Sequence, residues 1–315
     1  MVIHMKAILL SALLLLNACA SNEALSGQIT IASNLEGDWE LYVVDVEKGT
    51  ASRFTENRAY DSGAVWSPDG QSVVYTTEFL AGEIREVRRP TEDGALIAIV
   101  EEITSDRELL ITTADGSRVW LTDNATPDQD PAWSPDGDQI AFVGETTGDI
   151  EIHVMDADGS NVRQLTESPN EDWHPSWSPD GEEIVFASVR TGDWEIHVMD
   201  ADGSNVRQLT SSEGVDWTPE WSPDGSQIAF AGKPGDSWEV FVMDVDGSSV
   251  RQLTTATGNN FEPTWSPDGR HLAFATDRLG QLEVFVMRAD GTEQKRIAWS
   301  GIPSDWTDFD SFQFR

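Results

Sequence analysis

Short runs of apolar residues, separated by turn-forming residues, follow one another along the chain from about residue 28. Some runs are continuous, as at 139–143, whereas in others polar and apolar residues alternate, as where His153 separates Ile152 from Val154. Both patterns are typical of β-strands, and no segment after residue 20 has the periodicity of an amphipathic helix. The pattern therefore predicts an all-β protein.

A repeat of 44 residues organises these strands. Each unit has a strand ending in Trp-Ser-Pro-Asp-Gly, an apolar strand, an alternating strand, and a short strand that reads Arg-Gln-Leu-Thr in three copies. Proline and glycine at these positions favour tight turns. The pentapeptide begins at Trp66, Trp133, Trp177, Trp221 and Trp265. Four antiparallel strands with a period of about 40–45 residues predict one blade of a β-propeller per repeat.

The two ends of the chain together supply one further blade. Strands two to four of a blade are predicted at 28–33, 37–45 and 52–55, but no first strand precedes them. The missing strand is found at 305–314, which begins Asp-Trp-Thr like the first strands of other repeats. We therefore predict a six-bladed β-propeller over residues 28–315, whose closing blade is shared by the N- and C-terminal strands.

An insertion of 23 residues interrupts the first full repeat, because its two pentapeptides are 67 residues apart instead of 44. Two strand-like segments, 83–89 and 95–103, flank a turn that reads Thr-Glu-Asp-Gly. We expect an extra hairpin over residues 80–105 that projects from one face of the propeller.

The N-terminal segment 1–19 has the features of a signal peptide. Lys6 provides the positive charge, and residues 7–16 form an apolar stretch too short to span a bilayer. The segment ends in a lipobox-like Leu-Asn-Ala-Cys, which predicts lipidation of Cys19, the only cysteine. Cleavage after Ala20 by an ordinary signal peptidase is the alternative. Export is predicted either way, as an outer-membrane lipoprotein facing the periplasm or as a soluble periplasmic protein, with 20–27 as a short linker.

The chain is strongly acidic, with 56 Asp and Glu against 20 Lys and Arg and a formal net charge of −36. Such a surface repels nucleic acids and anionic membranes, so no nucleic-acid partner is expected and the membrane is contacted only through Cys19. The charge favours basic partners and cations. Alternatively, it serves only to keep the protein soluble.

The repeated motifs resemble those of the TolB-type propeller family over nearly all of residues 28–315. The resemblance rests on Trp-Ser-Pro-Asp-Gly, Val-Met-Asp-Ala-Asp-Gly and Arg-Gln-Leu-Thr, which recur in a fixed order. It implies a six-bladed propeller in the bacterial envelope that binds proteins across one face or at the central pore. The chain departs from TolB in its lipobox and in leaving no room for a separate N-terminal α/β domain, so a role in the Tol–Pal system is not implied. We expect a monomer.

A carboxylate or amide lies five residues before each repeat tryptophan and at the start of the predicted closing strand. Because this strand is innermost in a propeller blade, we expect these side chains to surround one mouth of the channel. There they would bind Ca²⁺, above all at Asp172 and Asp216, or they would bind a basic peptide. Alternatively, each ties a loop or a neighbouring blade. The six residues are Asp61, Asp128, Asp172, Asp216, Asn260 and Asp305.

The next two positions of the same strand vary from blade to blade, and repeat proteins carry binding specificity at such positions. The first holds Ser62, Gln129, Trp173, Trp217, Phe261 and Trp306; the second holds Asp130, His174, Thr218, Glu262 and Thr307. We predict that the aromatic residues, together with His174 and Glu262, bind a partner at the pore mouth. Packing between blades is the alternative for the tryptophans.

No catalytic motif is found in the sequence, and His153 and His197 occupy a slot that holds Tyr42, Phe241 or Phe285 in other blades. The predicted function is therefore non-enzymatic binding of an envelope protein or basic peptide. One alternative is a lyase or glycan-processing enzyme with a metal in the pore, where only His174 comes near carboxylates. Another is a glycan-binding protein that uses the aromatic residues.

Overall fold

The computed structural model describes residues 12–13, 28–33, 39–45, 48–57, 59–78, 84–90, 96–102, 107–113, 116–145, 148–280, 282–297 and 309–314. For 12–13, 28–29, 33, 84–90, 96–102 and 309–314 it describes the backbone only. All regular elements in these ranges are β-strands. Within them, no helix has the length and apolar character needed to cross a bilayer.

The strands form six blades built on four strands each, with one additional two-residue strand in the sheet of blade 1, which confirms the predicted six-bladed β-propeller. Blade 1 uses both ends of the chain, with β27 (Phe309–Phe314) followed by β2 (Gln28–Ser33), β3 (Glu40–Asp45) and β4 (Thr50–Arg53). Blade 2 consists of β5 (Tyr60–Trp66), β6 (Ser72–Glu78), β9 (Arg107–Thr113) and β10 (Arg118–Trp120).

The other four blades follow the sequence repeat without interruption. Blade 3 has β11 (Asp128–Trp133), β12 (Gln139–Glu145), β13 (Ile150–Asp156) and β14 (Arg163–Gln164), and blade 4 has β15 (Asp172–Trp177), β16 (Glu183–Ser188), β17 (Glu195–Asp200) and β18 (Arg207–Gln208). Blade 5 has β19 (Asp216–Trp221), β20 (Gln227–Gly232), β21 (Glu239–Asp244) and β22 (Arg251–Gln252), and blade 6 has β23 (Asn260–Trp265), β24 (His271–Thr276), β25 (Glu283–Arg288) and β26 (Lys295–Arg296).

The ring closes through hydrogen bonds between the two ends of the chain. The C-terminal strand β27 pairs antiparallel with β2, with Ile31 opposite Phe312. β27 in turn contacts β5 of the next blade. A two-residue strand, β1 (Ala12–Leu13), pairs parallel with β27. It is the only described part of segment 1–19, so the signal-peptide and lipidation predictions for this segment stay untested, and Cys19 lies outside the described residues.

The two faces of the propeller carry different connections. On the turn face, the turns between strands one and two meet those between strands three and four, as where Ala201 N donates to Glu182 O. On the loop face, the loops between strands two and three meet the start of the next blade, as where Asp216 N donates to Trp194 O. An inserted hairpin, β7 (Ile84–Pro90) and β8 (Leu96–Glu102), replaces the loop between strands two and three of blade 2 and so belongs to the loop face.

The hydrophobic core lies between neighbouring blades. Trp177 of blade 4 packs with Val143 and Ile152 of blade 3, and Trp221 of blade 5 packs with Val185 and Ile196 of blade 4. Burying such large aromatic surfaces contributes several kcal/mol per residue, roughly 3–5 for a Trp truncated to Ala. The repeat tryptophans of these blades therefore stabilise the ring by packing between blades.

The strand-three histidines are part of this packing. His153 stacks on Phe142 at 5.4 Å between ring centroids, as Phe241 stacks on Phe230 at 5.4 Å in blade 5. Burial lowers the pKa of both His153 and His197. Their interpretation as residues of a structural aromatic slot is consistent with these contacts.

Candidate binding site

Each described inner strand with full side chains contains a β-bulge next to its start on the loop face. In blade 4 the register shifts between Trp173 and Ser176, and equivalent shifts occur in blades 2, 3, 5 and 6. A bulge inserts an extra residue, bends the strand and redirects side chains, and bulges are frequent beside functional sites.

The residue inside each bulge has a left-handed backbone. The φ angles are 59° for Gly63, 52° for Asp130, 55° for His174, 48° for Thr218 and 54° for Glu262. Only glycine adopts this conformation without steric cost, and non-glycine residues there carry strain on the order of 1 kcal/mol or more each. In four blades a non-glycine residue thus occupies a strained backbone position that glycine occupies in blade 2. This indicates that the side chains of these four residues have a function.

These four residues, Asp130, His174, Thr218 and Glu262, come from consecutive blades and are called the bulge arc. The inner strands that carry them contact one another in sequence around the ring, so the arc borders the central channel near the loop face. His174 Nδ1 lies 3.0 Å from Asp130 Oδ2, in an ion-pair contact that lacks the alignment of a hydrogen bond. The Asp130 and His174 side chains are only 4% and 11% exposed.

Several polar atoms of the bulge arc are buried without an internal hydrogen bond. Within the described part of the chain, Asp130 Oδ1, His174 Nε2 and Thr218 Oγ1 have no hydrogen-bond partner. Leaving a buried polar atom unpaired costs roughly 1–3 kcal/mol. Three such atoms at equivalent positions of adjacent blades mark a site that a ligand can satisfy.

Aromatic side chains border the bulge arc. The Trp217 ring lies edge-on to His174 at 4.7 Å and to Trp194 at 4.3 Å, and Trp173 lies 6.3 Å from Trp217. Trp173 is buried and donates through Nε1 to Glu171 Oε2, whereas Trp217, Trp194 and Phe261 are partly exposed. Of the aromatic residues predicted at the pore mouth, Trp173 and Trp217 thus lie beside His174, whereas Trp306 lies outside the described residues. Partner binding by these residues, and by Phe261 and Glu262, stays a prediction.

The described carboxylate and amide residues that lie five positions before a repeat tryptophan are in a different place, at the interfaces between blades. All five described members are buried, and each described contact is with its own blade or the preceding one. In blade 2, Asp61 accepts hydrogen bonds from Thr77 and from Asn57 of the preceding connection, and Asp128 of blade 3 accepts one from Asn124. These contacts correspond to the structural alternative in which each acid ties a loop or a neighbouring blade. A binding role for Asp61, Asp128, Asp172, Asp216 and Asn260 stays a prediction, and Asp305 lies outside the described residues.

At four of these positions, in blades 2, 4, 5 and 6, the preceding blade contributes a neighbouring glutamate from the start of its strand three. In blade 6, Asn260 donates to Glu239 Oε2 of blade 5, and its Oδ1 accepts a hydrogen bond from Arg278. Burial raises the pKa of Asp216 to about 6, and the adjacent Glu195 carboxylate contributes to the rise. Two negative carboxylates held close together repel each other, which is why the Glu195 charge adds to the rise in the pKa of Asp216.

Calcium was expected above all at Asp172 and Asp216. Asp172 Oδ2 instead accepts a 2.7 Å hydrogen bond from the Arg190 guanidinium, which supplies the positive charge there. Among the described residues, no group of three or more His, Cys, Asp or Glu side chains is arranged to hold a metal ion.

One polar residue of the inner strands, Glu220, was not predicted from the sequence as a functional residue. Glu220 replaces the small Ala132, Ser176 or Thr264 of other blades. Its Oε1 accepts bonds of 3.2 Å from Thr264 Oγ1 and from Trp265 N of the next blade, and burial of its carboxyl group raises its pKa to about 8. The available signal was a glutamate at a position that holds Val65, Ala132, Ser176 or Thr264 in the other described blades.

The architecture defines the class of protein, a six-bladed β-propeller whose ring is closed by pairing of its two chain ends. A family model described as the TolB beta propeller domain (PD40) matches residues 89–218 and 207–308, and the chain belongs to this family. The family resemblance inferred from the repeats is thereby confirmed.

Solved structures share this fold across most of the chain. TolB from Acinetobacter baumannii is 21% identical, with a TM-score of 0.72, covering 92% of this chain and 67% of that one. A putative TolB from Agrobacterium tumefaciens is 20% identical, with a TM-score of 0.67, covering 87% of this chain and 89% of the other. A similarity at these identities shows the fold.

One curated relative matches part of the chain. It is the uncharacterized peptidase YuxL of Bacillus subtilis (strain 168), 29% identical over 122 residues. The match covers 34% of this chain and 19% of that protein, so it spans about a fifth of the relative's length.

Proposed function

We propose that this protein is an exported, non-enzymatic binding protein of the bacterial cell envelope, which holds a protein or peptide partner at the channel entrance on the loop face. The observation that carries the proposal is the bulge arc. Four polar residues that differ from blade to blade occupy strained, equivalent backbone positions, and three of them bury unpaired polar atoms. Variable side chains on an invariant backbone are how repeat proteins vary their binding specificity.

The surroundings of the arc suit a protein partner. Trp217 and Phe261 offer partly exposed aromatic surface beside buried polar groups, a combination common at the centre of protein interfaces. The net charge of −36 favours a basic partner segment and speeds its association. Export rests on the signal-like segment 1–19, and anchoring on Cys19.

Glycine substitution offers a clean test of this site. We expect the triple variant His174→Gly, Thr218→Gly, Glu262→Gly to fold, because Gly63 fills the same left-handed slot in blade 2. A tagged protein would be crosslinked in the bacterium it comes from, and its co-purified proteins quantified by mass spectrometry. The amount of the main partner that co-purifies with this triple variant, called the entrance glycine variant, should be at least tenfold lower than with wild type.

A matched control exists on the opposite face. Asn161, Asn205 and Ser249 also have left-handed backbones, with φ of 56°, 55° and 57°, but they lie beside the turns between strands three and four. The variant Asn161→Gly, Asn205→Gly, Ser249→Gly should retain the partner. Equal retention by the two glycine variants would refute a binding site at the entrance.

A further inference from the structure

The hydrogen-bonding character of the bulge arc identifies the chemistry of the group it binds. An ionised carboxylate only accepts hydrogen bonds, so the 3.0 Å approach of His174 Nδ1 to Asp130 Oδ2 is favourable when Nδ1 carries the imidazole proton. In the neutral ring, Nε2 is then an acceptor. His174 Nε2 and Asp130 Oδ1 are therefore two acceptors on contacting side chains, each buried and without a hydrogen-bond partner within the described part of the chain.

Continuing around the ring, the next blades add oxygen atoms. Thr218 contributes a buried hydroxyl whose oxygen has no hydrogen-bond partner within the described part of the chain, and Glu262 contributes a carboxyl group that is 6% exposed. The arc thus combines two carboxyl groups with one neutral acceptor and one hydroxyl. No lysine or arginine occupies any of the five bulge positions that the structure describes. Such a set favours a ligand that donates several hydrogen bonds and carries positive charge.

The geometry favours an ammonium group over a guanidinium group. A guanidinium binds best through two parallel bonds to both oxygens of one carboxylate. At Asp130, however, Oδ2 is in ion-pair contact with His174 Nδ1, and only Oδ1 has neither an ion-pair nor a hydrogen-bond contact among the described residues. An ammonium group has three donors that point in different directions and matches single acceptors contributed by separate blades.

We propose that the bulge arc binds one primary ammonium group, with Asp130 Oδ1, His174 Nε2 and Thr218 Oγ1 accepting its hydrogen bonds. This inference rests on the proposed function, since it names the group that the partner inserts at the entrance. A lysine side chain and a chain N-terminus share this chemistry, and the experiment separates them.

Histidine-selective NMR tests this assignment directly. The chain has five histidines, so protein labelled with ¹⁵N-histidine gives few signals, and His174→Gln identifies the one of interest. At pH 7.5 we expect the Nδ1–H tautomer for His174. N-acetyl-lysine methylamide should shift the Nε2 resonance with a dissociation constant of about 1 mM, the affinity expected of a single polar group. The norleucine analogue, which lacks the charge, should leave it unchanged.

Two further samples complete the test. Alanyl-glycine amide, which carries only an N-terminal ammonium, should shift the same resonance if a chain terminus fits, and a response to the lysine probe alone would assign a side chain. In Asp130→Asn, whose amide can either donate or accept, the tautomer preference and the response should both be lost. An Nε2–H tautomer, or equal shifts with lysine and norleucine probes, would overturn the inference. If the entrance glycine variant still lost its partner, the proposed function would stand and only the ammonium chemistry would fail.

Discussion

Gly203→Ala is expected to destabilise the propeller by several kcal/mol, whereas Gly280→Ala should cost only about 1 kcal/mol. Both glycines have nearly the same backbone, with φ of 90° and 89°. At Gly203, however, an added Cβ would lie 2.5 Å from the Leu165 carbonyl oxygen of the preceding blade, while at Gly280 nothing lies within 4 Å. Because the backbone conformation is nearly the same at the two positions, the difference between the two losses of unfolding free energy measures the packing of one blade against the next.

Denaturant unfolding of the two single variants measures this difference. The repeat supplies an independent check, because a Cβ at Gly247 would lie 2.5 Å from the Leu209 carbonyl oxygen one blade further on. Gly247→Ala should match Gly203→Ala. If Gly203→Ala and Gly280→Ala lost the same free energy of unfolding, close contact between blades at the turn face would be disproved.

Asp216→Asn is expected to stabilise the protein at pH 8 by on the order of 1–2 kcal/mol, to stabilise it less at pH 5, and to have little effect below the ordinary aspartate pKa of 3.8. The pKa of Asp216 is raised from its ordinary value of 3.8 to about 6 by burial, with a contribution from Glu195. A raised pKa means that the folded state holds the proton more tightly. The stability this contributes is fully present below pH 3.8, decreases as the pH rises through about 6, and is absent at pH 8. An asparagine keeps the site uncharged at every pH.

Blade 6 already contains the arrangement that this variant creates, since Asn260 donates to Glu239 where Asp216 faces Glu195. Thermal unfolding between pH 3 and 8 would compare wild type, Asp216→Asn and Asp216→Ala. The alanine variant is the control, because it removes both the charge and the hydrogen bonds. A pH profile of Asp216→Asn parallel to that of wild type would show that the carboxyl group does not titrate in this range.

The sequence was sufficient for the architecture because the repeat is regular. Trp177, Trp221 and Trp265 lie 44 residues apart, and each blade needs the same inner strand, so the number of blades and the use of 305–314 to close the ring could be predicted. Both were confirmed, since β27 (Phe309–Phe314) pairs with β2.

The candidate site was predicted less completely, because alternation along a strand does not reveal a bulge. A strand without a bulge would place the acids at the channel. In blade 4, however, a bulge follows Trp173, and the side chains make other contacts. Asp172 bonds to Arg190 within the blade, and His174 reaches Asp130 of the neighbouring blade. The variability at positions 130, 174, 218 and 262 was visible in the sequence, whereas their left-handed backbones were not. Proline after each of the four was the local sign of an irregular strand.

Site-specific photocrosslinking tests the central claim, binding at the channel entrance, most directly. A benzophenone amino acid would be placed at Trp217 or Phe261 on the loop face, and at Val206 or Val250, which are 38% and 53% exposed beside the turn face. After irradiation of intact cells, we expect adducts with one partner protein from the two entrance positions and none from the two valine positions. Adducts only from the valine positions, or equal adducts from all four, would contradict it.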